Sequence, residues 1–163
     1  MKAISLLGIS AAVSVGCLMW ISGAVPSLGL IPWISLISAG AYFTAGAGYD
    51  GLAKPMAAGT LGIVLTAVAL SIIAQLGGGL MSTVFVVALL AFTIILCSGI
   101  ALFSHIPSAF MAASTYVGAG GSWGLSLLFI IVSWGAGLLL AWIIDNLSRS
   151  LIAVSERGSA TRS

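Results

Sequence analysis

Apolar residues run through this chain in long blocks, and the polar positions between them gather at short breaks rich in glycine, proline and serine. Almost no block carries the polar face that a helix of a soluble domain needs. The blocks predict six membrane-spanning helices, at about 3–22, 31–47, 55–76, 80–103, 107–120 and 124–145. Crossing the hydrocarbon core as a helix takes about 20 apolar residues. Spans one, three, four and six meet that length. Spans two and five are short and rich in Gly, Ala and Ser, so they are expected to be short or broken.

A motif recurs about 75 residues along the chain. Its first copy runs from Ile31 to Leu52 and its second from Ile106 to Leu125. Pro32 matches Pro107, Tyr42 matches Tyr116, Gly51-Leu52 matches Gly124-Leu125, and Gly62 and Gly135 lie equally far beyond those pairs. Three spans fall in each half, so two copies of one unit would cross a membrane in opposite directions. The expected fold is an all-α integral membrane protein of six transmembrane helices, built as two inverted three-helix repeats. The repeats occupy about 3–76 and 80–145 within a domain over 1–146, followed by a cytoplasmic tail over 147–163. Inverted repeats are a common plan of channels and secondary transporters.

Within the spans, Gly8, Ala12 and Gly16 recur every four residues, a spacing that lets helix backbones approach closely in lipid. Trp20 and Trp33 flank the first loop, where amphipathic rings favour the headgroup level. Pro32 suits a first helical turn, and Pro55 is expected to restart span three in the same way after a break before Tyr49-Asp50. Gly77-Gly78-Gly79 forces spans three and four into a hairpin, and the uniformly apolar span four is expected to face lipid. Gly135 and Gly137 open a close-packing surface on span six, and the stretch from Leu151 to Val154 is expected to continue the helix beyond the span.

Composition turns the pattern into a class. Hydrophobic residues make up 61% of the chain, charged residues 5%, and the mean hydropathy is +1.27. Soluble domains carry roughly 25% charged residues to wet their surface. The net charge of +2 is too small and dispersed to indicate nucleic acid. Lys2, Lys54, Arg149, Arg157 and Arg162 all fall on one side of a six-span arrangement, which puts both termini in the cytoplasm. Lys2 and the apolar run ending at Ser22-Gly23-Ala24 also resemble a signal peptide, and Ser14-Val15-Gly16-Cys17 a lipoprotein site. Removal would leave five spans and spoil the symmetry, so span one is expected to stay. Cys17 and Cys97 lie in apolar runs and are expected to be small packing residues.

The chemistry available is sparse. The acidic residues are Asp50, expected in a loop, Asp145 at a helix end, and Glu156 in the tail; the one histidine is His105. No metal triad, paired carboxylate, HExxH or GxSxG pattern occurs, so enzyme activity, a metal and a cofactor are not expected. Spans two and five carry the remaining candidates for a solute pathway: Tyr42 and Thr44 in one, Ser114, Thr115 and Tyr116 in the other. Paired short, glycine-interrupted segments are the best sequence pointer to a translocation site. These small and hydroxylated residues also serve simple helix packing. Asp50 could cap the broken backbone, pair with Lys54 or attract a cationic solute, and Trp123 or Ser122 stands at its matching place. His105 could gate the pathway by changing charge near neutral pH, or contact lipid phosphates at the interface.

The run Leu28-Gly29-Leu30-Ile31-Pro32-Trp33, the alanine- and glycine-rich segment with Tyr42-Phe43, and Ile106-Pro107 with Phe110 resemble a family known as domain-of-unknown-function family 1097. The resemblance covers roughly 5–145. It implies a bacterial inner-membrane protein and brings no substrate or catalytic residue. The function expected is a small channel or facilitator for a neutral or small polar solute, with its pathway between spans two and five. The chain is expected to form a homo-oligomer in the lipid bilayer. The alternatives are an accessory subunit of a membrane complex and a cation-coupled secondary transporter.

Overall fold

The computed structural model describes residues 2–160, with side-chain surroundings over 4–153. The expectations for Lys2, Glu156, Arg157 and Arg162 therefore lie outside the described side chains. Six α-helices form, and no strand occurs among the described residues: α1 (Lys2–Ala24), α2 (Pro32–Thr44), α3 (Gly48–Gln75), α4 (Leu80–Cys97), α5 (Ile106–Gly118) and α6 (Leu125–Ala160). By length and apolar composition, α1, α3, α4 and α6 can each cross a membrane. The helices α2 and α5 have 13 residues each. At about 1.5 Å per residue each is roughly 20 Å long, short of a hydrocarbon core about 30 Å thick.

Three placements along the helices differ from those expected. Pro55 does not start α3 but lies inside it, so the helix opens seven residues earlier at Gly48 and takes in Asp50 as a first-turn residue. Pro55 thus stands about two turns inside the helix, where it has no N–H to give the Gly51 carbonyl. At the end of span four, α4 stops at Cys97 and a separate 3-10 turn, Ala101–Phe103, follows. Helix α6 runs on well beyond residue 145, so Asp145 is internal to it and not at its end. The Gly77-Gly78 hairpin forms as expected, with both glycines at positive φ (86° and 67°) turning α3 into α4.

The centre of the bundle is made by α2, α3, α5 and α6, whose side chains share one buried cluster around Tyr42, Ile63, Tyr116, Ile130, Trp134 and Leu138. Helix α1 lies outside against α6 through Leu18, Leu140 and Ile144. Helix α4 lies outside against α3 and α5 and buries only Val86 and Ile94. The outer surface is apolar: Leu80, Met81, Phe85 and Leu96 on α4 and Ile4, Ile9 and Trp20 on α1 are all exposed. Apolar exposure on this scale fits a membrane protein. The buried positions include Ser10, Ser35, Ser38, Thr66, Ser108 and Ser133. Such hydroxyls must find an acceptor in a dry interior, and Ser10, Thr66 and Ser133 bond the carbonyl one turn back.

Two packing expectations are corrected. Gly8, Ala12 and Gly16 face away from the rest of the chain, and α1 packs instead through Ser10, Ser14 and Leu18. Cys17 is exposed on α1, so it fills no space in the core.

Helices α2 and α5 bury corresponding positions. Ile34, Ser35, Ser38, Ala39, Ala41 and Tyr42 are buried on α2; Ser108, Ala109, Ala112, Ala113, Thr115 and Tyr116, each 74 residues later, are buried on α5. Both helices end in the same turn: Ala47 N–H donates to the Tyr42 carbonyl at 3.2 Å, and Gly121 N–H to the Tyr116 carbonyl at 2.9 Å. The neighbours correspond too. Helix α2 packs chiefly on α6, and α5 chiefly on α3. A Cβ on Gly137 of α6 would run into the Ser35 carbonyl, and one on Gly62 of α3 into the Ala109 carbonyl. Where α3 and α6 cross, Gly59 leaves the space that the Trp134 ring fills, and the indole N–H donates to the Pro55 carbonyl at 3.0 Å.

Candidate functional site

Because α2 and α5 touch each other less than they touch α6 and α3, a groove opens between them. It encloses about 590 Å³, and Ile31, Ile34, Ile37, Phe110 and Met111 form most of its wall. Ser114 and Thr115 supply hydroxyls there. Thr115 is buried and donates to the Ala112 carbonyl at 2.8 Å, whereas Ser114 is exposed. A second cavity of about 440 Å³ lies among α3, α4 and α5, and Phe110, Ser114 and Gly118 separate the two. Ser114 thus faces both, on an otherwise apolar helix row.

The other sequence candidates do not line this groove. Tyr42 and Tyr116 belong to the central cluster. The Tyr42 hydroxyl donates to Asp145 Oδ2 at 3.0 Å and accepts the Gly48 N–H at 2.9 Å. Thr44 is exposed, and its hydroxyl donates to the Ala41 carbonyl at 2.9 Å. Asp50 pairs with Lys54 at 3.0 Å, one of the three roles open to it in the sequence. An acidic residue in a first helical turn is also favoured by the helix dipole. Trp123, exposed before α6, donates from its indole to Ser71 Oγ at 2.5 Å. The structure therefore brings Ser114 and Thr115 together at the groove, joins Tyr42 to the α2–α3 break, and leaves Asp50 and Trp123 in separate places.

His105 precedes α5 and meets Ser108 Oγ through Nδ1 at 2.6 Å. Burial pushes its pKa below the ordinary 6.5; hydrogen bonding with the Thr44 backbone opposes that, and the nearby Lys54 charge adds to it. The imidazole is thereby biased to the neutral form at the junction of α2 and α5.

Two sets of polar residues escaped the sequence reading. Asp145 is largely buried and accepts from Arg149 Nε at 2.9 Å as well as from Tyr42. The four-residue spacing of Asp145 and Arg149 on one helix was a visible signal; the partnership with Tyr42 was not. The second set stitches α2 to α6. Ser133 Oγ accepts the Ile31 N–H at 2.8 Å, an amide with no partner inside α2, and donates to the Phe129 carbonyl at 2.7 Å. Ser35 Oγ donates to the Ser133 carbonyl at 2.8 Å. Among the described residues no three of His, Cys, Asp or Glu gather as metal ligands.

A family model described as "Protein of unknown function (DUF1097)" matches residues 8–149. Neither the curated proteins nor the solved structures yield a match.

Proposed function

Since the chain belongs to the DUF1097 family of proteins of unknown function, we propose its activity from geometry: it is a small membrane facilitator for an uncharged or weakly polar solute. The six helices form two inverted repeats of three, with both termini cytoplasmic in a bacterial inner membrane. Solute moves along the groove between α2 and α5. The observation that carries this reading is the correspondence of the two halves about that groove: matching buried positions on two short helices, matching turns, and matching glycine contacts with α6 and α3. Short helices placed between repeats are where many transporters bind their solutes. The mostly apolar walls, with hydroxyls from Ser114 and Thr115, disfavour a bare ion and accept a small solute with a few hydrogen-bonding groups.

Purified protein in liposomes, screened by swelling against urea, amides, glycerol and short acids, should pass one of these faster than empty vesicles. Ser114→Trp, which fills the groove from an exposed position, should abolish that flux without lowering yield. Flux equal to empty vesicles for every solute overturns the reading. It would favour the second reading, an accessory subunit of a membrane complex, which draws on the unpacked Gly8, Ala12 and Gly16 face of α1 and the open flank of α4.

A further inference from the structure

The break between α2 and α3 is held in a conformation that its sequence resists. Gly46, Ala47 and Gly48 all have positive φ (94°, 59° and 64°), and Ala47 is the one non-glycine in that region among the described residues. With φ at 59° and ψ at −169°, Ala47 occupies backbone space that is essentially glycine's own. Such a residue persists only where its surroundings over-determine it.

Tyr42 supplies those surroundings. Its carbonyl accepts the Ala47 N–H at 3.2 Å, and its hydroxyl accepts the next amide, Gly48 N–H, at 2.9 Å. The same hydroxyl donates to Asp145 Oδ2, and Arg149 holds the other carboxylate oxygen. A side chain on α6 therefore sets the position of the group that pins the break.

The turn after α5 provides an internal comparison. It forms the same backbone bond, from Gly121 to the Tyr116 carbonyl, but the position matching Ala47 is glycine and does not have positive φ. No hydrogen bond engages the Tyr116 hydroxyl among the described residues. The turn can thus be built with neither strain nor an aromatic clamp. Strain and clamp occur together, at one end only.

We propose that residues 45–48 are a strained hinge, latched closed by Tyr42 through Asp145 and Arg149. Release of the Tyr42 hydroxyl lets Ala47 leave its left-handed conformation, and the end of α2 and the first turn of α3 swing away from α6. The hinge is a property of the fold and does not rest on the transport reading, since opening is measured without any solute.

Amide hydrogen exchange on the full chain in lipid nanodiscs tests it. Tyr42→Phe and Asp145→Ala should each speed exchange over residues 45–51 by about tenfold or more, because the Gly48 amide loses its partner or that partner loses its anchor. The interior of α3, residues 58–69, should exchange at the wild-type rate. Ala47→Gly should slow exchange at the break about fivefold or more by relieving strain in the closed state, and should do so in the Asp145→Ala background as well. Tyr116→Phe should change neither turn. Wild-type exchange at 45–51 in Tyr42→Phe overturns the latch. Equal acceleration throughout α3 also overturns it, since the bonds would then hold the whole fold and not a hinge. Ala47→Gly without slower exchange overturns the strain.

Discussion

Three glycines on two helices separate close packing from mere smallness. A Cβ on Gly137 would overlap the Ser35 carbonyl oxygen and Ser38 Oγ, and one on Gly62 would overlap the Ala109 carbonyl. Carbonyl oxygens of packed helices cannot step aside as a side chain can, so α6 would have to move off α2, or α3 off α5. A Cβ on Gly135 meets only the tip of Met56, at 3.5 Å from Cε, which is ordinary contact. Every Gly→Ala change in a helix interior gains up to about 1 kcal/mol of helix propensity. That gain is common to all three variants, so their differences isolate the overpacking term, about 1–3 kcal/mol. Gly135→Ala should melt at or above the wild-type temperature. Gly137→Ala and Gly62→Ala should melt below Gly135→Ala by about 2–12 °C, taking about 2–4 °C per kcal/mol for a chain of this size. Tryptophan fluorescence during heating in detergent reads the transition, because Trp134 lies fully buried at the α3–α6 crossing. Equal melting of Gly135→Ala and Gly137→Ala would refute the proposed interlock of α2 and α6.

Two further outcomes follow from single contacts. Ser133→Ala strands the Ile31 amide at the start of α2 and should cost about 1–3 kcal/mol in a detergent melt, while exposed Ser150→Ala should stay within about 0.5 kcal/mol of wild type. His105, lowered below its ordinary 6.5, binds its proton in the unfolded chain before it does so in the folded one. Stability should therefore rise with pH between the lowered value and 6.5, and be lost as pH falls through that window. His105→Gln should flatten the dependence, and an unchanged pH profile in that variant would assign the effect elsewhere.

Local signals in the chain were reliable where they depended on local physics. The glycine triplet at 77–79, the proline at the start of α2 and the short length of α2 and α5 all read directly, because turns and helix starts are set by a few neighbouring residues. Charge spacing of four along a helix is equally local, and the Asp50–Lys54 pair forms as one of the readings allowed. Pro55 misled because its local preference for a first helical turn was overridden: α3 begins about two turns earlier, at Gly48. The matching of Gly62 with Gly135 misled for another reason. Both residues are small, but Gly137 is the one that meets a carbonyl as Gly62 does.

Sequence alone established a helical chain with apolar runs long enough to cross a membrane, its breaks, and its resemblance to the DUF1097 family. Those properties depend on the summed hydropathy of contiguous residues, which the order of letters contains in full. Tertiary structure alone decided which faces are buried, that the Gly8 stripe looks outward, that Ser133 serves an amide about a hundred residues away, and that Tyr42 reaches Asp145. The physical reason lies in the solvent. In water, polarity marks the outside of a helix; against lipid, both the outside and the interior are apolar, and hydrophobic pattern no longer tells them apart. Burial is then decided by shape and by where each hydroxyl and carboxylate finds a partner, and only the folded chain brings those partners together.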